Sequence, residues 1–142
     1  MVIAAGKKDW CRLKRLALPV FILYLCAVLG ITIFSRLPFD RVRANFELFW
    51  SYRRASENRK LLWEIILNYF MLLPYGLLAP LYMKKPWALV SGFLFSAGIE
   101  LAQYFMRRGL FEYDDIVGNT LGVLLGIGLF ALLSNCAARQ KK

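Results

Sequence analysis

The sequence predicts an all-α integral membrane protein, a bundle of four transmembrane helices with an interfacial helix or loop between the first and second. Two observations carry that prediction. Of its 142 residues, 59% are hydrophobic and 15% aromatic, with a mean hydropathy of +0.50, whereas a soluble domain is nearer half apolar. The charged residues, only 20% of the chain, also fall in blocks between apolar runs long enough to cross a bilayer. The expected organisation is a basic N-terminal segment over residues 1–15, a membrane domain over 16–135 and a basic tail over 136–142.

The first span is expected from Leu16 to about Ser35, behind Lys7, Lys8, Arg12, Lys14 and Arg15. A basic start and an apolar run also describe a signal peptide. This run is long enough to span, and no small-residue cleavage site follows it, so it reads as an uncleaved helix. Residues 36–61 form the one long connection. Val42, Phe46, Phe49 and Trp50 follow the i, i+4, i+7, i+8 spacing of one helical face, with Arg41, Arg43, Arg53 and Arg54 around them. That pattern fits a helix lying in the membrane interface, or equally a loop whose aromatics tuck against the bundle.

The second span covers residues 62–83, with a kink expected at Pro74, which lacks a backbone donor. After Lys84-Lys85-Pro86, the third span runs from Trp87 to about Met106. Residues 107–115 make a short connection, and the fourth span runs from about Ile116 to Asn135. Gly118, Gly122 and Gly126 recur every four residues on the last span. Small residues at that spacing let another helix approach closely. Packing within the chain is the plainer reading and a homodimer through this helix is the other.

The residue inventory excludes several chemistries. The chain has no histidine, so His-based nucleophilic catalysis and His-ligated metal are out. Cys11, Cys26 and Cys136 are scattered and form no paired motif. No metal or cofactor is expected. The formal charge of +10 would suggest nucleic acid in a soluble protein. Here the basic residues flank apolar spans, so the expected partner is membrane lipid.

Four spans with short turns run up and down. Segments 36–61 and 107–115 must therefore share one side, and both termini and the Lys84-Lys85 turn the other. The polar residues of the spans gather at the end bearing the two larger loops: Asn68 and Glu64 on the second, Glu100 and Gln103 on the third, Asp114, Asp115 and Asn119 on the fourth. With a helical rise of ~1.5 Å per residue, Asn68 and Glu100 both lie roughly 9 Å inside their helix ends. Glu64/Asn68, Glu100/Gln103/Arg107 and Asp115/Asn119 are each spaced to share a helix face. An ionisable residue inside a span costs ~2.5–3.5 kcal/mol or more and defaults to a functional reading. The expected site is a polar pocket of Asn68, Glu100, Gln103, Arg107, Arg108, Asp114, Asp115 and Asn119. A buried ion pair between Glu100 and an arginine is the structural alternative, and Asp114-Asp115 also suit the positive end of the helix dipole.

These residues carry a resemblance. Asn68-x-x-x-Leu72-Leu73-Pro74-Tyr75-Gly76, Glu100-Leu101-x-Gln103 and Asp114-Asp115-Ile116-x-x-Asn119-Thr120-x-Gly122 resemble the motifs of the VanZ-like family. They run N-x-x-x-F-x-P-x-G, E-x-x-Q, R-x-x-D-x-x-D and N-x-x-G-x-x-x-G. A looser match lies at Asn45-Phe46-x-x-Phe49. The chain departs at Leu72, where the family often has Phe, and in the loop register, where either Arg107 or Arg108 fills the family's arginine. The resemblance implies a four-helix membrane fold, Pro74 and Gly76 as motif positions, and a link to teicoplanin resistance through the founding member.

Lys and Arg number 10 on the side of the termini and 9 on the side of the large loops, nearly a tie under the positive-inside rule. The basic N-terminus favours cytoplasmic termini in the bacterial plasma membrane. The pocket then faces outward and is expected to bind an amphiphile, a lipid-linked wall precursor or a lipoglycopeptide. Two other function classes are a membrane enzyme on a lipid-phosphate, using Glu100 and Asp115 as acid and base, and a small transporter subunit with a broken second helix.

Overall fold

The computed structural model describes residues 7–139. It contains α1 (Lys7–Leu29), β1 (Arg43–Asn45), α2 (Trp50–Arg54), α3 (Arg59–Leu78), α4 (Lys85–Phe105), β2 (Leu110–Glu112) and α5 (Tyr113–Arg139). Four stretches are long and apolar enough to cross a membrane: Cys11–Phe34, Arg59–Leu81, Lys85–Phe105 and Tyr113–Cys136. The all-α four-helix membrane bundle is therefore the observed fold. The basic ends extend past what the structure describes, since residues 1–6 and 140–142 lie outside it.

The helices begin earlier than hydropathy alone places them, because caps rather than apolar residues set their ends. Asn58 starts α3 by accepting from the Lys60 amide at 3.0 Å. Pro86 sits in the first turn of α4, where a missing donor costs nothing. Asp114 and Asp115 occupy the first turn of α5, at the positive end of its dipole. The α-helical part of the second span runs through Pro74 to Leu78. The change of geometry comes at Ala79–Leu81, a 3₁₀ turn containing Pro80.

The first helix ends in a π turn, Gly30–Phe34, closed by Ser35 N–H on the Gly30 carbonyl at 2.8 Å. The last carbonyls of a helix lack intrahelical donors. Here Gln103 Nε2 donates to Thr32 O at 3.1 Å, and Arg108 Nη1 donates to Ile33 O and Phe34 O at 3.3 and 3.2 Å. The end of α4 is a Schellman closure. Arg108 N–H reaches Gln103 O at 2.8 Å and Arg107 N–H reaches Tyr104 O at 3.1 Å. Arg107 takes the left-handed conformation there, φ 56°, a place usually given to glycine.

The core lies between α3, α4 and α5, with Phe21 and Val28 of α1 against it. Leu72, Ala79, Ala88 and Val123 are fully buried. Glycines set how closely the helices approach. A Cβ on Gly76 would meet the Val123 carbonyl, one on Gly122 the Tyr69 carbonyl, and one on Gly126 the Leu73 carbonyl. Gly122 and Gly126 are thus used within the chain, against α3. Gly118 is looser, with Asn68 Cβ at 3.4 Å and the Tyr52 hydroxyl at 3.7 Å from its hypothetical Cβ. Large side chains such as Leu23, Trp63, Leu94 and Leu132 point outward, as a lipid-facing surface requires.

The long connection differs from the interfacial helix expected over 42–50. Arg43–Asn45 is a strand, paired in parallel with β2 in the register Arg43↔Leu110, Ala44↔Phe111, Asn45↔Glu112. Phe46 then packs on Phe111 and Tyr113, and only Trp50–Arg54 is helical. The aromatic stripe has helical spacing, but its main chain bonds to a segment 67 residues away. The tucked-loop alternative describes it better. The pairing also joins the two larger loops, placing both on one side as the span count demands.

Candidate functional site

A cavity of about 960 Å³ opens beside the first turns of α3, under the paired loops. Its apolar wall is Ile31, Leu37, Phe39, Leu67, Phe70 and Met71. Ile31, Leu67 and Phe70 belong to membrane spans and are themselves exposed, so the cavity continues onto the lipid-facing surface. Its charged rim is Arg36, Arg43, Lys60 and Arg108 with Glu64, Glu112 and Asp115. Trp50 and Asn68 complete the polar part.

Most of the rim charges have partners. Lys60 Nζ lies 3.7 Å from Glu64. Arg43 stacks over the Phe39 ring at 4.5 Å. Arg108 is held by the carbonyls ending the first span. Asn68 Nδ2 donates to Asp115 Oδ1 at 2.6 Å, and Trp50 Nε1 donates to Glu112 Oε1 at 2.7 Å. Burial pushes the Glu112 carboxyl up to about 7, with the neighbouring negative charges of Asp115, Glu64 and Asp114 raising it further and the indole N–H opposing them.

Of the eight pocket residues expected from the sequence, Asn68, Arg108 and Asp115 line the cavity. The other five stand outside its wall. Asp114 is a loop anchor, accepting Phe49 N–H at 2.5 Å, Ser51 N–H at 3.0 Å and the Ser51 hydroxyl at 2.5 Å. That grip holds Phe49 in the left-handed region, φ 60°, at the start of α2. Glu100, only 2% exposed, accepts the Glu112 backbone N–H at 3.1 Å and so fixes β2 to α4. Glu100 makes no ion pair with an arginine among the described residues. Gln103 serves the end of the first span, and Gly109 leaves room for it, since a Cβ there would lie 2.6 Å from Gln103 Oε1. Among the described residues the Arg107 side chain donates to the Asp40 carbonyl alone, at 3.5 Å. Asn119 is 1% exposed, and its Oδ1 has no partner among the described residues.

The cavity also takes residues outside the expected set, among them Arg36, Trp50, Lys60, Glu64 and Glu112. Arg36 directly follows the first span, at the height where headgroups lie, and that position was its one readable signal. Glu112 ends β2 and Trp50 opens α2, short elements whose meeting no local pattern announces. Behind the wall, the Tyr52 and Tyr69 hydroxyls lie 3.2 Å apart. Burial and that contact push the Tyr52 phenol above its usual range. Among the described residues no three His, Cys, Asp or Glu side chains converge as a metal site would need.

What the arrangement offers is recognition of a molecule with two characters. One wall is apolar and open to lipid, and the other supplies guanidinium, carboxylate, amide and indole groups. No curated protein and no solved structure matches the chain. The VanZ/LLP1 family model matches residues 21–134, which include every residue lining this cavity. With four membrane-spanning helices and that match over most of its length, the chain belongs to the VanZ/LLP1 family.

Proposed function

We propose that this membrane protein binds an amphiphile in the cavity between α3 and the paired loops. The ligand is a lipid-linked cell-wall precursor or a lipoglycopeptide, met at the outer face of the bacterial cytoplasmic membrane, with both chain termini on the cytoplasmic side. By holding it, the protein contributes to teicoplanin resistance. The observation that supports this reading is the continuity of the apolar wall with the lipid-facing surface beneath a charged rim. Such a site offers acyl chains a path from the bilayer and keeps polar groups at the headgroup level. Its volume is in the range of pockets that enclose drug-sized ligands.

The test is teicoplanin susceptibility of a sensitive Gram-positive host, with membrane levels matched by blot. Wild type is expected to lower susceptibility. Leu67→Trp, which fills the cavity from its exposed wall, is expected to abolish protection, while Leu125→Trp on the lipid-facing side of α5 keeps it. A wild type indistinguishable from the empty host, at equal expression, overturns the resistance reading.

A further inference from the structure

Arg36 differs from the other cations of the rim. Arg43 is stacked on Phe39, Arg108 is spent on two carbonyls, and Lys60 lies beside Glu64. Arg36 makes no ion pair and no side-chain hydrogen bond among the described residues, although it lines the cavity. It lies within electrostatic reach of Asp115 and Glu100 without touching either. Its position is also particular. The first span ends at Phe34, so Arg36 stands where hydrocarbon gives way to headgroups. Ile31 and Leu37, on either side of it in the chain, are exposed apolar members of the same wall.

A guanidinium presents a planar fork of donors that matches phosphate oxygens. A free one at that depth, above an apolar wall open to the bilayer, complements a phosphate carried on acyl or isoprenyl chains. The carboxylates of the rim do not compete for it at contact distance. Asp115 and Glu112 are already engaged with Asn68 and Trp50.

We infer that Arg36 is the anion-binding residue of this cavity, and that its occupant is a membrane lipid with an anionic phosphate headgroup, taken in sideways from the bilayer. This rests on the amphiphile reading above and narrows it. The phosphate sits on the Arg36 fork, and the chain lies along Ile31, Leu67 and Phe70. Trp50, whose indole is fixed to Glu112 in the cavity wall, stands beside the occupied space.

Trp50 provides the measurement. The full chain carrying Trp10→Phe, Trp63→Phe and Trp87→Phe keeps it as the sole tryptophan. It is reconstituted in phosphatidylcholine vesicles containing either chain-brominated phosphatidic acid or chain-brominated phosphatidylcholine, and quenching of Trp50 is compared. An arginine near a membrane surface contributes about 1 kcal/mol toward an anionic lipid, roughly a fivefold preference. The expected result is such a preference for phosphatidic acid in the parent. Arg36→Gln removes it, Arg36→Lys retains part of it, and Arg41→Gln, which alters a nearby exposed arginine outside this wall, leaves it intact. Monodisperse elution of each variant shows that folding is preserved. Equal quenching by both lipids overturns the inference and leaves an amphiphile pocket indifferent to headgroup. Equal loss in Arg41→Gln and Arg36→Gln overturns it in favour of a diffuse surface charge. Abolition of the preference by soluble glycerol phosphate overturns the lipid as source. Failure of either lipid to reach Trp50 overturns both this inference and the amphiphile reading.

Discussion

Asp114 and Ser51 are 63 residues apart in the chain, and one carboxylate oxygen, Asp114 Oδ2, accepts both the backbone N–H and the hydroxyl of Ser51. The other oxygen takes the Phe49 N–H. One buried carboxylate therefore positions the cavity's Trp50 from both sides along the chain.

Asp114→Ala leaves the buried Ser51 N–H and the half-buried Phe49 N–H without an acceptor and releases the strained Phe49. Bonds to a charged acceptor are worth about 1.5–3 kcal/mol each, and they are not additive. A loss of about 2–4 kcal/mol is expected, seen as a lower Tm in detergent and new proteolytic cleavage between residues 46 and 54. A variant that keeps its Tm and resists the protease would mean the loop is held by something else.

The glycines separate by position. Gly76→Ala and Gly122→Ala drive a Cβ into the facing backbone, which cannot yield as a side chain tip does, and each is expected to cost more than about 2 kcal/mol. Gly98→Ala meets nothing within 4 Å and gains about 0.5–1 kcal/mol of helix propensity. Gly118→Ala, in ordinary contact, is expected near neutral. The order of thermal stabilities among the four variants checks this, and a destabilised Gly98→Ala would contradict it.

Glu112 gives the protein a pH dependence. Its carboxyl titrates at about 7 in the folded state and near 4.5 normally. Between those values the unfolded chain has released a proton that the folded chain still holds, so stability falls as pH rises through this window and levels off above 7. Glu112→Gln, which still accepts from the Trp50 indole, is expected to reduce the slope of Tm between pH 5 and 7. Identical slopes for wild type and variant would place the titration elsewhere.

Glu100 is expected to act through the main chain. Glu100→Gln still offers an oxygen to the Glu112 N–H and should keep wild-type expression and the full teicoplanin phenotype proposed above for the wild type. Glu100→Leu strands that donor, at a cost of about 1–3 kcal/mol. A phenotype lost in Glu100→Gln at unchanged Tm would show that the charge itself is used.

The sequence made the spans and the polar end of the bundle legible because both rest on local arithmetic, run length and helical spacing. Asn68, Asp115 and Glu100 do gather at one end, as their depths along three helices require. The roles within that cluster were not legible. Glu100, Gln103 and Asp114 look like pocket groups by spacing, yet each spends itself on a backbone group from a distant segment. Trp50 is tied into the cavity wall by Glu112, which belongs to the pair of Arg43–Asn45 with Leu110–Glu112. A three-residue parallel pair between two loops leaves no alternation long enough to detect.

That pairing has a consequence for how the protein is made. The stretch from Arg43 to Arg54 emerges from the ribosome long before Leu110–Asp114, and two spans must enter the membrane in between. Until the last span arrives, β1 has no partner strand and the Phe49 and Ser51 amides have no carboxylate. Closure of the paired-loop cap is therefore the final act of biogenesis. A chain stopped after its third span carries an open, arginine-rich loop rather than a partly built site.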